Sequence, residues 1–266
     1  MRQPQSATPP EKPQPQPYAG AASSTDDRAI RTAIDGGHLG LLPWATHYLN
    51  HHFTHAPADF HWELADLADE HDRLVVAAPR GHAKTTVLAL AFPLYRAAVH
   101  KEPFTLIVSD TATQAEQRTS DLYAELLEND ALTARYPHLA LPERKDYAEK
   151  RVKRTTRDFI TLGGIRFTSA GAGQSLRGIK DRHQRPSLIV VDDLENDENV
   201  RTQEQRHKLL DWFTKSLLNL PGPSGARVLV IGTVLHPDSL LSGLLSDDRA
   251  EVWRQRRLQA LQPDGT

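Results

Sequence analysis

The sequence predicts an α/β fold in which a mainly parallel sheet is flanked by helices. Three observations carry that expectation. Short apolar runs without polar alternation, LVVAA at 74–78, FTLIVS at 104–109, SLIVV at 187–191 and RVLVIG at 227–232, read as strands covered on both faces. Helical stretches, expected over roughly 84–99, 112–128, 201–218 and 237–246, separate them in the rhythm that builds parallel sheets. The composition, 39% hydrophobic and 25% charged over 266 residues, suits a globular chain of one large domain or two small ones.

Taken in order, the chain opens on a stretch that cannot build a core. Six of its 18 prolines fall in the first 17 residues among four glutamines, so residues 1–25 are expected to be a disordered tail. MRQPQSATPP lacks the apolar core of a signal peptide. Residues 26–72 read as a helical lead-in, with Leu39, Leu42, Tyr48, Leu49 and Phe53 at irregular helical spacing and Pro43 and Pro57 as punctuation. The α/β domain is expected over 73–250. Within it DFITL at 158–162, Gly163-Gly164 and IRFTSA at 165–170 form a predicted hairpin. Residues 251–266 are expected to begin a linker, and Arg254, Arg256 and Arg257 to sit on a helix facing solvent or a second domain.

Composition excludes several chemistries. Zero cysteines remove disulfides, thiolate metal sites and cysteine nucleophiles. With 32 Lys+Arg against 34 Asp+Glu, nucleic-acid binding requires a local patch. No run of about 18 apolar residues offers a transmembrane helix.

LVVAAPRGHAKTT is the most informative stretch. A buried strand ends at Ala78, a loop follows, and Lys84-Thr85-Thr86 opens a helix, so backbone N–H groups and a helix N-terminus face one point. In a phosphate loop Lys84 reaches the β/γ-phosphates of ATP and the Thr85 hydroxyl holds Mg²⁺. Ala78 and Ala83 occupy both glycine positions of G-x-x-x-x-G-K-[ST], and alanine resists the backbone conformation such a loop needs. An ordinary strand–loop–helix junction is the alternative.

SLIVVDDLENDENV supplies a second element. Leu188–Val191 drive a strand whose carboxyl end carries Asp192 and Asp193, the edge at which open α/β sheets bind ligands. Asp192 is the expected Mg²⁺ partner and Asp193 the residue that orients or deprotonates the attacking water. Two other readings stand beside this one: a helix N-cap, and a nuclease cluster of Asp192, Asp193, Glu195, Asp197 and Glu198. The two motifs in this order point to a P-loop NTPase.

The chain also resembles the ATPase half of a tailed-phage terminase large subunit, the motor that packages DNA into a procapsid. The resemblance covers roughly residues 40–250 and rests on PRGHAKTT at 79–86, VSDTATQAEQRTSDLYAELLEND at 108–130, GQSLRG at 173–178, RPSLIVVDDLENDENV at 185–200 and IGTVLHPDSLL at 231–241. It implies an ASCE/RecA-like fold and a nucleotide cradle from Pro79, Arg80, Gly81, His82, Ala83, Lys84, Thr85 and Thr86. Arg80 would touch the γ-phosphate, and Arg177 would be an arginine finger for a neighbouring subunit's ATP. Gly232-Thr233 matches the coupling motif, and His61-Trp62 the place of an adenine-recognising pair. Without the resemblance these residues read as a surface arginine, a strand-to-loop turn and part of an amphipathic helix. The implied partners are double-stranded DNA, a portal or procapsid, a small terminase subunit and further copies in a ring, within host cytoplasm. A C-terminal nuclease domain normally follows; no nuclease activity is expected from these residues.

Lys150, Arg151, Lys153, Arg154 and Arg157 form the densest basic cluster, suited to sequence-blind phosphate contacts or simply to a solvated face. His47, His51 and His55 are spaced for one helical face, read as a polar face rather than a zinc site because no carboxylate completes them at helical spacing. A helicase-like motor and a nucleotide-binding assembly module without turnover are the competing functional readings.

Overall fold

The computed structural model describes residues 40–142, 154–179 and 184–259. The expected tail at 1–25, the first part of the lead-in and the last residues of the expected linker lie outside these.

The lead-in supplies α1 (Leu41–Tyr48) and α2 (Asp59–Glu70). After β1 (Arg73–Ala77), a wide helical turn over Thr86–Ala91 runs into α3 (Phe92–Val99). Pro93 accounts for the widening: its ring lacks an N–H and crowds the carbonyl one turn back. The Phe92 N–H accordingly bonds to Val87. β2 (Phe104–Ser109) leads to α4 (Ala112–Glu128), started by Thr111, whose hydroxyl accepts from the Gln114 N–H at 3.2 Å. α5 (Asp130–Arg135) follows, then β3 (Arg154–Thr155), β4 (Asp158–Ile160), β5 (Arg166–Gly171) and β6 (Leu188–Asp192). A capping box at Thr202 and Gln205 opens α6 (Gln203–Trp212). The chain closes with β7 (Arg227–Gly232), α7 (Leu240–Leu244) and β8 (Arg254–Arg257).

The sheet order is β3-β4-β5-β2-β6-β7-β1-β8. The pairings from β5 to β8 are parallel, and only β3–β4 and β4–β5 are antiparallel. The expected hairpin forms with Phe159 opposite Phe167, their rings stacked 5.1 Å apart. Arg166 adds two hydrogen bonds to Asp158, at 2.8 and 2.9 Å.

The lack of alternation in the strands now has its cause. Leu74, Val76, Ile107, Leu188, Val190, Leu229 and Ile231 join the core under α1–α4. Val75, Ala77, Leu106, Val108, Ile189, Val191, Val228 and Val230 join the one under α6 and α7. Successive side chains point to opposite faces, and both faces are covered. Trp44, fully buried, donates from Nε1 to the Tyr136 hydroxyl at 3.2 Å and fixes α1 within the first core.

Two expectations need correction. Arg254–Arg257 is neither helix nor linker: it pairs in parallel with Leu74–Ala77, and Arg256 bonds to Glu63 at 2.7 Å. Trp253, buried just before it, anchors the strand. The helix expected at 237–246 is confined to Leu240–Leu244, because Ser239 caps it only there, accepting from Ser242. Among the described residues, no helix is long and apolar enough to cross a membrane.

Candidate functional site

Parallel pairing brings the carboxyl ends of β1, β6, β7 and β2 to one edge, where α/β sheets place their ligands. β1 delivers the Pro79–Thr86 loop. Gly81 and Ala83 both take left-handed backbone, at φ of 83° and 48°. Among the described residues, the backbone N–H groups of Arg80, Gly81, His82 and Ala83 donate to no backbone acceptor. Successive unsatisfied amides in such a bend form an anion-binding concavity. Lys84 is buried, 4% exposed, and its ammonium makes one long bond of 3.5 Å to the Pro79 carbonyl. A buried cation so sparsely partnered suits an anionic ligand. Arg80 is exposed, and Thr86 begins the wide turn.

β6 delivers the acids. Asp192 is 1% exposed. Its Oδ1 accepts from the Thr85 hydroxyl at 3.0 Å and its Oδ2 from Arg118 Nε at 2.8 Å. Burial pushes its carboxyl up, the Asp193 charge adds to this, and Arg118 and Thr85 oppose it. Asp193 is half-buried in left-handed backbone, φ 47°, which Asp tolerates better than most residues. Its N–H bonds to Ile231, and its carbonyl accepts from Asp110 at 3.3 Å. Asp110, at the end of β2, accepts from Asn196 at 2.6 Å and Asn199 at 2.9 Å, holding the loop beyond the acids.

β7 ties the two together. The Ala78 N–H bonds to the Gly232 carbonyl at 3.1 Å, and the Thr233 hydroxyl to the Ala78 carbonyl at 3.1 Å. Gly232-Thr233 therefore sits against the start of the loop and beside Asp193.

On the far side, His61 Nε2 donates to the His82 carbonyl at 3.1 Å, while its Nδ1 accepts the Ala58 N–H at 2.9 Å. The two bonds define a neutral tautomer. Burial beside His82 keeps its pKa below the ordinary value. A cavity of about 380 Å³ opens here, lined by Phe53, Pro57, Phe60, His61, Gly81 and His82 among others. Trp62, beside His61 in sequence, is 44% exposed and does not line it.

Some expected residues lie elsewhere. Arg177 is exposed in the loop after β5 and lines a separate cavity of about 670 Å³ with Arg185, Trp212 and Lys215. Glu195 leaves the proposed nuclease cluster to cap α7, accepting from Leu240 at 2.7 Å and Leu241 at 3.0 Å. Lys150, Arg151 and Lys153 lie outside the described residues. Arg154 begins β3, and exposed Arg157 reaches Gln174 Oε1 at 3.4 Å. His47, His51 and His55 share no helical face, because α1 ends at Tyr48.

Sequence reasoning missed Arg118, Asp110 and the Asn196–Asn199 pair. Arg118 stands on α4, and only the adjacency of β2 and β6 brings it to Asp192. No protein-family model matches the chain, and no curated protein matches it significantly.

Proposed function

We propose that the chain is an ATP-hydrolysing motor of the terminase large-subunit type, moving double-stranded DNA into a procapsid. The observation that carries the reading is the 3.0 Å bond between Thr85 and Asp192, which joins a lysine-bearing loop to a buried acidic strand end across 107 residues of sequence. β7 lies between β1 and β6, an order compatible with the extra strand that an ASCE reading calls for.

The donor set fits ATP with Mg²⁺. Thr85 and Asp192 present two oxygens side by side, as Mg²⁺ held between protein and phosphates requires. When bound, Mg²⁺ neutralises charge on the phosphate oxygens and draws electron density from the phosphorus. Lys84 and the Arg80–Ala83 amides hold the phosphates, Asp193 orients the attacking water, and Arg80 contacts the terminal phosphate. The cavity beside His61 receives the adenine between Phe53, Phe60 and His61. Thr233, bonded to the loop, is placed to report the phosphate state to β7. Arg177, away from the loop of its own chain, acts on a neighbour's ATP in an assembled ring on the portal. Arg157 and the basic residues before it contact DNA phosphates.

The test is steady-state ATP hydrolysis by the chain and by Lys84→Ala and Asp193→Ala, each with and without double-stranded DNA. Turnover lost in both variants and stimulated by DNA in the parent supports the motor. The Arg118–Asp192 bond favours one second reading, a nucleotide-binding assembly module whose acidic residue is held by arginine; nucleotide binding without turnover in the presence of DNA would support it. Absence of nucleotide binding would sink both.

A further inference from the structure

Two consecutive histidines and a glutamate from a distant helix converge on one point outside the strand-end site. The tight turn Asn50–His52 closes with the His52 N–H on Leu49 and the Phe53 N–H on Asn50. It swings both imidazoles to the same side, their ring centres 4.4 Å apart. Each Nε2 reaches the same oxygen, Glu125 Oε1, at 2.6 Å from His51 and 2.7 Å from His52. The three donor atoms lie within 4.8 Å of one another. Glu125 is buried, whereas His51 and His52 are exposed and leave a path from solvent.

The carboxylate is already oriented. Asn129, just past the end of α4, donates from Nδ2 to Glu125 Oε2 at 3.1 Å and to the Tyr48 carbonyl at 2.7 Å. A ligating carboxylate whose second oxygen is fixed by an outer partner is how protein metal sites are supported.

We propose that His51, His52 and Glu125 bind a divalent transition-metal ion, with Zn²⁺ as the best match. Two imidazole nitrogens and one carboxylate oxygen suit Zn²⁺, whereas Mg²⁺ and Ca²⁺ favour oxygen donors alone. Tetrahedral bonds of about 2.0–2.1 Å place donors roughly 3.3 Å apart, so each imidazole withdraws by a little over half an ångström, roughly. Their exposure allows that movement. Water completes the coordination. The ion fastens the 50–53 turn to α4. His52 and Phe53 line the cavity beside the Pro79–Thr86 loop, and α4 carries Arg118, so one ion links both flanks of the strand-end site.

The experiment is calorimetric titration of ZnCl₂ into the full chain with saturating Mg²⁺, which occupies the oxygen donors at Thr85 and Asp192. It compares the parent with His51→Ala/His52→Ala and with His55→Ala/His207→Ala, a control for surface histidines. The expected result is one Zn²⁺ per chain, weakened at least about 100-fold in the first variant and unchanged in the control. Asn129→Ala is expected to weaken binding by about 10-fold, as loss of an outer partner does. Zn²⁺ should also raise the melting temperature of the parent but not of His51→Ala/His52→Ala. Equal affinity in the two double variants, or no saturable binding by the parent, overturns the assignment.

Discussion

Arg118 donates to Asp192 Oδ2 at 2.8 Å, on the carboxylate oxygen opposite the one bonded to Thr85. A guanidinium thus supplies the countercharge of the most buried acid at the strand ends. Truncating one partner of a buried pair costs roughly 3–5 kcal/mol. Arg118 is a third exposed, and solvent screening lowers that to about 1–3 kcal/mol.

The substitution separates this role from simple packing. Arg118→Ala is expected to be less stable in chelator, yet to gain more stability from Mg²⁺ with nucleotide than the parent does, because the cation replaces the lost charge. Thermal unfolding across a Mg²⁺ series checks it. An equal response to Mg²⁺ in both proteins contradicts the electrostatic argument.

Ala83 adopts φ 48° in the loop, where an L side chain is strained by about 1–2 kcal/mol. Ala83→Gly relieves that strain and gives back part of it as chain entropy, for a net gain of up to about 1 kcal/mol. Ala83→Val should lose about 1–2 kcal/mol, since β-branching makes this conformation worse. Urea unfolding of the three proteins measures the order.

His61 supports the loop only while neutral, because protonated Nδ1 can no longer accept the Ala58 N–H. Its folded pKa lies below the ordinary 6.5. The sign follows: its contribution is complete above that ordinary value and is lost as pH falls through the lower folded value. His61→Ala should therefore destabilise by about 1 kcal/mol at pH near 8, the usual worth of a lost cap. The gap should narrow towards pH 5, as measured by urea unfolding at each pH. A gap that widens in acid would reverse the sign and exclude this role.

The strands and the long helices were legible because burial on both faces writes itself into uninterrupted apolar runs. α4 spans Ala112–Glu128, as its sequence indicates, since Thr111 caps one end and polar Asn129 takes over at the other. β8 was not legible. RQRR has no apolar signature, and it pairs only because Trp253 and β1 present a place for it. Ala83 shows the opposite difficulty: its side chain argues against a left-handed loop, and the surrounding bonds from Lys84 and Thr85 hold the loop there nonetheless. Arg118 and Glu125 gain their partners through strand order and helix packing, which no local spacing records.

Gly232 offers the last test, because it borders both Asp193 and the loop. A methyl group there would meet Leu241 Cδ2 at 3.1 Å and Asp193 Oδ1 at 3.8 Å. The first contact is tight, but it involves the end of a flexible side chain that can yield, so the stability cost of Gly232→Ala should stay near or below about 1 kcal/mol. Leu241 belongs to α7, whose first amides are held by Glu195, only two residues from Asp193. Displacing Leu241 therefore presses on the loop beside Asp193, the acid proposed to orient the attacking water. Hydrolysis should fall about 10-fold or more through kcat with KM little changed, since misplacement by an ångström can cost about 100-fold. Gly243→Ala is the matched control: its added methyl meets nothing within 4 Å. If both variants retain parental kcat, Gly232 is only a strand end and Thr233 loses its proposed coupling role.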